Sequence, residues 1–435
     1  MKTTGLVWIF SLLLKLILAV VLPLSPDEAY YWLWGQNLRL SYFDHPPFVA
    51  WLASLGAYID SVEGMVRWPG LLLAHLGVLF WCDLLRLHGY SWEKINQALF
   101  FFFVCPMTGL GAIVLTPDLP LFFFWSGTLW ATEKYLKNPS ENWAALVGLF
   151  WGFGFLSKYH IVILMMISIL WTITSGEWRK IRPKSLLISL LIFLATSSPV
   201  LIWNFQNNFA SFRFQLEHGL GGDTWSFRWT TDYVLGTVAL LSPLAFWFFL
   251  KHSQNKKLSL IYWTGAGTLL FFLFSSYRGH VELNWPLMAY PPVLILASLS
   301  IGVLARKIYY LYWLLIYLFL LSSPQFGIPR HGKLQEPFML RQMKDLPDQW
   351  SPLYTSNYQM ASTLWYYRKN PVYKIPRASR YDFLDELFKG TLPIRFYLLA
   401  EAHQDPQELL DKNTWLFHVV HRPAEKLLLY EVQRK

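Results

Sequence analysis

About eleven apolar stretches, separated by short polar connections, leave this chain few ways to fold. A helix needs about 20 mostly apolar residues to cross a bilayer, because backbone groups in hydrocarbon must bond within their own segment. On that rule the first spans are 5–24, 66–87, 97–115, 119–135, 143–156 and 161–174. The remainder are 185–203, 233–250, 258–274, 287–304 and 308–321. Composition agrees: 54% of the residues are hydrophobic and 15% are charged, against about 25% charged in soluble domains. The expected fold class is an all-α polytopic membrane protein. The short fifth span carries Gly148, Gly152 and Gly154, which predicts close helix packing there. The first segment reads as a retained span, since no small-residue cleavage site follows it.

The net charge of +10 suggests a nucleic-acid partner until its distribution is read. Arg86 with Lys94, Lys134 with Lys137, the 179–184 cluster, Lys251 with Lys256 and Lys257, and Arg306 with Lys307 all sit in short connections. Alternating spans bring every one of them to the same side, which the positive-inside rule makes cytoplasmic. This is a topology signal and points to no nucleic acid. The opposite side then receives the 25–51 loop, the Thr116-Pro117-Asp118 turn, Lys158, the 204–232 connection and the 277–285 connection. Cys82 and Cys105 fall inside apolar runs and read as small core residues, without a disulfide or a cysteine metal site. No internal repeat is visible.

The 25–51 loop gathers Asp27, Glu28, Asp44 and His45 among aromatic residues. Acids at the edge of a span are costly to place, and flanking aromatics suit the headgroup layer. Two short interfacial helices are expected, 27–38 with Ser25 or Asp27 as its cap, and 48–59 with Pro46 and Pro47 at its start. Beyond residue 323 the composition turns mixed. Strands are expected at 352–354, 372–375, 395–399 and 415–419, and helices at 360–368 and 382–388. The expected division is a membrane domain, 1–323, with its outer loop 25–65 expected to be catalytic, and a small soluble α/β domain, 324–435, on the non-cytoplasmic face.

Each candidate site residue also has a plainer reading. Asp27 and Glu28 are a candidate general base for an acceptor hydroxyl, or helix-capping acids. Asp118 opens a strongly apolar span and is either a cap or a second functional acid. His45, Lys158, Arg213, His218, Arg228, Arg278 and His280 share one face. Singly they are interface anchors; together they suit a phosphate group. Asp44-His45 and Glu217-His218 are ligand-like pairs for a divalent metal ion, with Asp44 and His218 as the donors singled out, although no spacing rule joins them. No P-loop, dinucleotide loop or nucleophile elbow is present.

Four motifs in order, SPDEAYYWLW…YFDHPPFVAWL, LTPDLPLFFFW, GFLSKYH and YRGHVELNWP, resemble the bacterial dolichyl-phosphate-mannose-protein mannosyltransferase-like superfamily, near its lipid A aminoarabinose transferase group. The resemblance covers the whole membrane region. It implies a GT-C fold, a polyprenyl-phosphate-linked sugar donor, and a periplasmic active site in the bacterial inner membrane. It further implies transfer, with inversion, to lipid A or another envelope acceptor. Under it Asp27 is the essential carboxylate, Asp118 the acid opening the fourth span, and His45, Lys158 and Arg278 the donor-phosphate contacts. This chain has His45 where aminoarabinose transferases commonly have lysine. No nucleotide cofactor is needed, because the lipid phosphate is itself the leaving group. A flippase of a lipid-linked sugar is the rival reading. Transporters place charges near the bilayer midplane and often carry inverted repeats, whereas here the acids gather at one face.

Overall fold

The computed structural model describes residues 2–59, 62–221, 225–252, 259–322, 336–424 and 426–435. The apolar segments are helical, as expected, and the departures follow local chemistry. Lys2–Val21, Met65–Leu87 and Pro183–Gln206 are each long and apolar enough to cross a membrane alone. The expected 97–115 span stops as an α-helix at Val104, because Cys105 is extended ahead of Pro106. The expected 233–250 span is two helices, Phe227–Leu241 and Pro243–Lys251, bent by 89°. Ser242 between them has φ +72° and precedes a proline. Close packing in the fifth span is real. A Cβ on Gly148 would lie 2.3 Å from the Ser189 carbonyl oxygen, and one on Gly152 would lie 1.6 Å from Thr196 Oγ1.

Two short helices follow the first span, Pro26–Gly35 and Phe48–Ala57, close to the interfacial pair expected. They pack so tightly that a Cβ on Gly35 would fall 2.7 Å from the Ser54 nitrogen.

The C-terminal region is a five-stranded mixed sheet of β1 (Leu353–Thr355), β2 (Val372–Lys374), β3 (Arg395–Glu401), β4 (Trp415–Ala424) and β5 (Leu427–Arg434). The order is β2-β1-β3-β5-β4. β1 runs parallel to β2 and β3, while β5 is antiparallel to β3 and β4. Strand β5 escaped the sequence reading: its leucine run shows no clean two-residue alternation, and burial follows Leu427 and Leu429, then steps to Tyr430 and Val432. The expected boundary at 323/324 lies outside the described residues.

The sheet region does not stand apart from the membrane region. Its helix Tyr358–Arg368 lies on Pro26–Gly35, with Tyr30 against Tyr358 at 4.5 Å and Trp32 against Tyr366 at 5.2 Å between ring centroids. One continuous apolar core runs from Leu24 to Leu429. The C-terminal region is therefore fastened onto the Pro26–Gly35 helix.

Candidate active site

The Pro26–Gly35 helix sorts its two acids by position. Ser25 caps it, accepting from the Glu28 backbone, while Glu28 Oε2 accepts from the Ser25 nitrogen at 2.9 Å, a capping box. Glu28 is fully buried and also binds Arg67 Nε at 2.6 Å, Arg67 Nη2 at 2.7 Å and the Leu115 nitrogen at 2.7 Å. Arg67 gives its remaining donors to the carbonyls of Ala19, Leu22 and Pro23, each at 2.8 Å. All five guanidinium donors are spent. Glu28 is a tether between three segments, the capping alternative carried further.

Asp27, one position earlier, is exposed and receives only a long contact from Gln359 Nε2, 3.5 Å from its Oδ1. The surrounding protein pushes its carboxyl above the usual aspartate value, and the Gln359 contact and Arg380 partly offset this. Solvent reaching the carboxylate tempers that rise. The result is a carboxylate open to a substrate and made more basic by its surroundings.

The next segment is held by Tyr42, whose ring stacks on Trp34 at 4.0 Å and whose hydroxyl donates to the carbonyls of Trp34 and Asn37. This delivers Asp44 inward. Tyr30 donates to Asp44 Oδ2 at 2.7 Å, Arg380 pairs with Oδ1, and Gln215 donates to the Asp44 carbonyl at 2.6 Å. Arg380 also donates to the Tyr358 hydroxyl at 3.1 Å and lies between the rings of Phe214 and Tyr358. Burial, with Lys158 and Arg380 nearby, holds the His45 imidazole well below its usual value, so it is neutral at pH 7.

A cavity of about 830 Å³ opens beside these residues. Asp44, His45, Lys158, His160, His218 and Arg380 form its polar side, and Val162, Ile163, Met166, Phe271 and Phe272 form an apolar one. Lys158 Nζ contacts both oxygens of buried Asp118, at 2.8 and 3.0 Å. Asp118 thus backs Lys158, which is the member of the pair that lines the cavity. His45 Nδ1 and His160 Nδ1 are buried without a hydrogen-bond partner, a state that asks for a ligand or water.

The structure brings together Asp44, His45, Lys158 and His218, with Asp118 directly behind them. It leaves Arg278, exposed, outside the cavity lining, along with Arg213, Arg228 and His280; Asp27 is also outside the lining, linked to it only through the fields of Asp44 and Arg380 and the contact from Gln359, which neighbours the lining residue Tyr358. Among the described residues no group of three or more His, Cys, Asp or Glu side chains gathers to hold a metal ion. Asp44, one donor of the expected pair, already has both oxygens engaged by Tyr30 and Arg380. The sequence reading missed Arg380, Tyr358 and Gln359, all from the C-terminal region. Their local sequence is an ordinary polar loop and a helix start, and nothing in it pointed to a site more than 300 residues away.

Residues 44–203 match the family described as dolichyl-phosphate-mannose-protein mannosyltransferase. Crystal structures of ArnT from Cupriavidus metallidurans share the fold over 99% of this chain and 98% of theirs. The TM-score is 0.73 for the apo state at 16% identity, and 0.69 for the form bound to undecaprenyl phosphate at 15% identity. Curated relatives then narrow the neighbourhood. The lipid A galacturonosyltransferase RgtD of Rhizobium johnstonii is 23% identical over 287 residues, 62% of this chain and 59% of that protein. The lipopolysaccharide core galacturonosyltransferase RgtA of the same organism is 25% identical over 227 residues, 48% of this chain and 43% of that one. The chain spans about half the length of the curated relatives it matches. The motif resemblance and the polytopic helical fold with its small C-terminal α/β region are borne out.

Proposed function

We propose that this chain is an integral-membrane glycosyltransferase that moves a sugar from a polyprenyl-phosphate donor to lipid A or another envelope glycolipid, at the periplasmic face of a bacterial inner membrane. The observation that carries this reading is the two-sided cavity, cationic where Lys158 and Arg380 line it and apolar along Val162, Met166 and Phe271. A phosphate fits the first side and an isoprenoid chain the second, which is the chemistry of a lipid-linked sugar. Names of the relatives support the same donor and acceptor classes.

In this mechanism an acceptor hydroxyl attacks the anomeric carbon, forming the new C–O bond as the bond from that carbon to the phosphate oxygen breaks. The electron pair leaves with the phosphate, and Lys158 and Arg380 offset its growing charge. Asp27 takes the hydroxyl proton. Displacement on one side and departure on the other invert the anomeric centre. Lys158 and Arg380 replace Arg278 in the phosphate role, because Arg278 does not line the cavity. His45, neutral, contributes a hydrogen bond and no charge.

The test is transfer of label from radiolabelled polyprenyl-phosphate galacturonate, mannose or aminoarabinose to lipid A by the purified protein. Label on lipid A from at least one donor is expected. Label that crosses vesicles without joining an acceptor would instead identify a transporter.

A further inference from the structure

A second cavity lies at the other end of the bundle, between the helices Asp118–Lys137, Glu141–Ser157, Ile161–Thr174 and Pro183–Gln206. It measures about 520 Å³. Along Ile161–Thr174 the donor cavity takes Val162 and Met166, while this one takes Ile169 and Ile173, further from the catalytic face. Its wall is apolar, and Ile173, Leu186 and Leu190 on it are 58%, 57% and 48% exposed, so it opens sideways toward lipid. Any such hollow in a bilayer fills with hydrocarbon. Three further observations ask for more than hydrocarbon.

First, Ser168 and Ser185 line it, are 4% and 2% exposed, and have hydroxyl oxygens without any hydrogen-bond partner. A ligand carrying oxygen atoms at that depth would satisfy them, as glycerol ester groups do and an isoprenoid chain cannot. Second, the turn at the mouth is basic and half neutralised. Lys180 pairs with Glu177 at 2.6 Å and Lys184 with Glu141 at 2.6 Å. Arg179 and Arg182 have no carboxylate partner among the described residues. Third, Trp178 lines the cavity, is 53% exposed and lies under Arg179 at 5.6 Å. Tryptophan at the end of a span sits at headgroup depth. The positive end of the Pro183–Gln206 helix opens at the same place.

We propose that this cavity binds an anionic glycerophospholipid. One acyl chain lies between the helices, the ester oxygens meet Ser168 and Ser185, and the headgroup phosphate rests on Arg179 and Arg182. The site is separate from the donor cavity and its occupancy requires no turnover, so it stands or falls apart from the glycosyltransferase reading.

Native mass spectrometry of the full chain, released from detergent after incubation with phosphatidylglycerol, tests it. Phosphatidylcholine of the same acyl chains and polyprenyl phosphate serve as comparisons. The phosphatidylglycerol adduct should survive at about ten times the level of the phosphatidylcholine adduct. It should fall about tenfold in the exposed Arg179→Gln/Arg182→Gln double variant, and also in Ile169→Trp, which fills the cavity. Equal retention of the two phospholipids would overturn the proposal. So would an unchanged adduct in the arginine variant, or displacement of phosphatidylglycerol by polyprenyl phosphate, which would assign the cavity to the donor's tail. The arginine variant alters only surface side chains and remains informative if Ile169→Trp fails to fold.

Discussion

Two buried ion pairs of this protein, Glu28–Arg67 and Asp118–Lys158, look alike and differ in what they leave unspent. In the Glu28–Arg67 knot both carboxylate oxygens and all five guanidinium donors are engaged, and neither residue lines the large cavity. In the Asp118–Lys158 pair the ammonium contacts a single carboxylate and also lines a cavity of about 830 Å³. A third pair, Asp44–Arg380, is closer to the second case: Arg380 faces the same cavity and its side chain is 41% exposed. Burial alone does not mark function. A saturated pair locks segments together, and a pair with donors to spare beside a cavity is available to a ligand.

The strongest way to break this comparison is at Asp27 and Glu28, adjacent residues with opposite assignments. Asp27→Asn should abolish transfer, a loss of about 10²–10⁴-fold if it is the general base, while the protein stays folded in the membrane. Label-transfer assays beside size-exclusion profiles check both halves. Glu28→Gln should do the reverse in kind. It leaves Arg67 buried with half its ion pair gone, a cost of about 3–5 kcal/mol, read as a lower melting temperature and less monodisperse protein. A folded, inactive Glu28→Gln would return Glu28 to the chemistry.

Arg380→Gln sharpens the third pair. Losing charge-assisted hydrogen bonds of about 1.5–3 kcal/mol should lower kcat/KM roughly 10–150-fold with the fold retained. A wild-type value would remove the C-terminal region from the site.

The pH profile gives a smaller effect. A general base needs its deprotonated form, so the raised pKa of Asp27 should place the acid limb of kcat/KM above the ordinary aspartate value of about 4. His45, held well below its usual value, should add no limb near neutral pH. Tyr30→Phe should have the least consequence. It removes one bond to Asp44 and one from the Phe383 nitrogen, worth about 1 kcal/mol each, or roughly fivefold in kcat/KM per bond.

Much of this molecule was legible in its sequence. The apolar segments, the two short interfacial helices, most of the C-terminal strands, and the gathering of Asp44, His45, Lys158 and His218 around one cavity were all readable. Each depends on a local signal, either a run of apolar residues, a cap or an alternation. Arg213, Arg228, Arg278 and His280 share the expected face but lie outside the cavity lining, because topology assigns a side of the membrane and not a position on it. The break at Ser242–Pro243 and the stop at Cys105 were also local, yet a length rule passed over the prolines that cause them.

Sequence by itself determined the class: a chain this apolar, with clusters of basic residues recurring in alternate connections, reads as a helical protein that crosses a membrane repeatedly. Tertiary structure alone separated the two acids of the Pro26–Gly35 helix by their surroundings. Asp27 and Glu28 are chemically alike and adjacent, and the helix buries one against Arg67 and leaves the other exposed beside Gln359. It alone supplied Arg380, Tyr358 and Gln359, because no periodicity links residue 44 to residue 380; only the docking of Tyr358–Arg368 on Pro26–Gly35 brings their charges together.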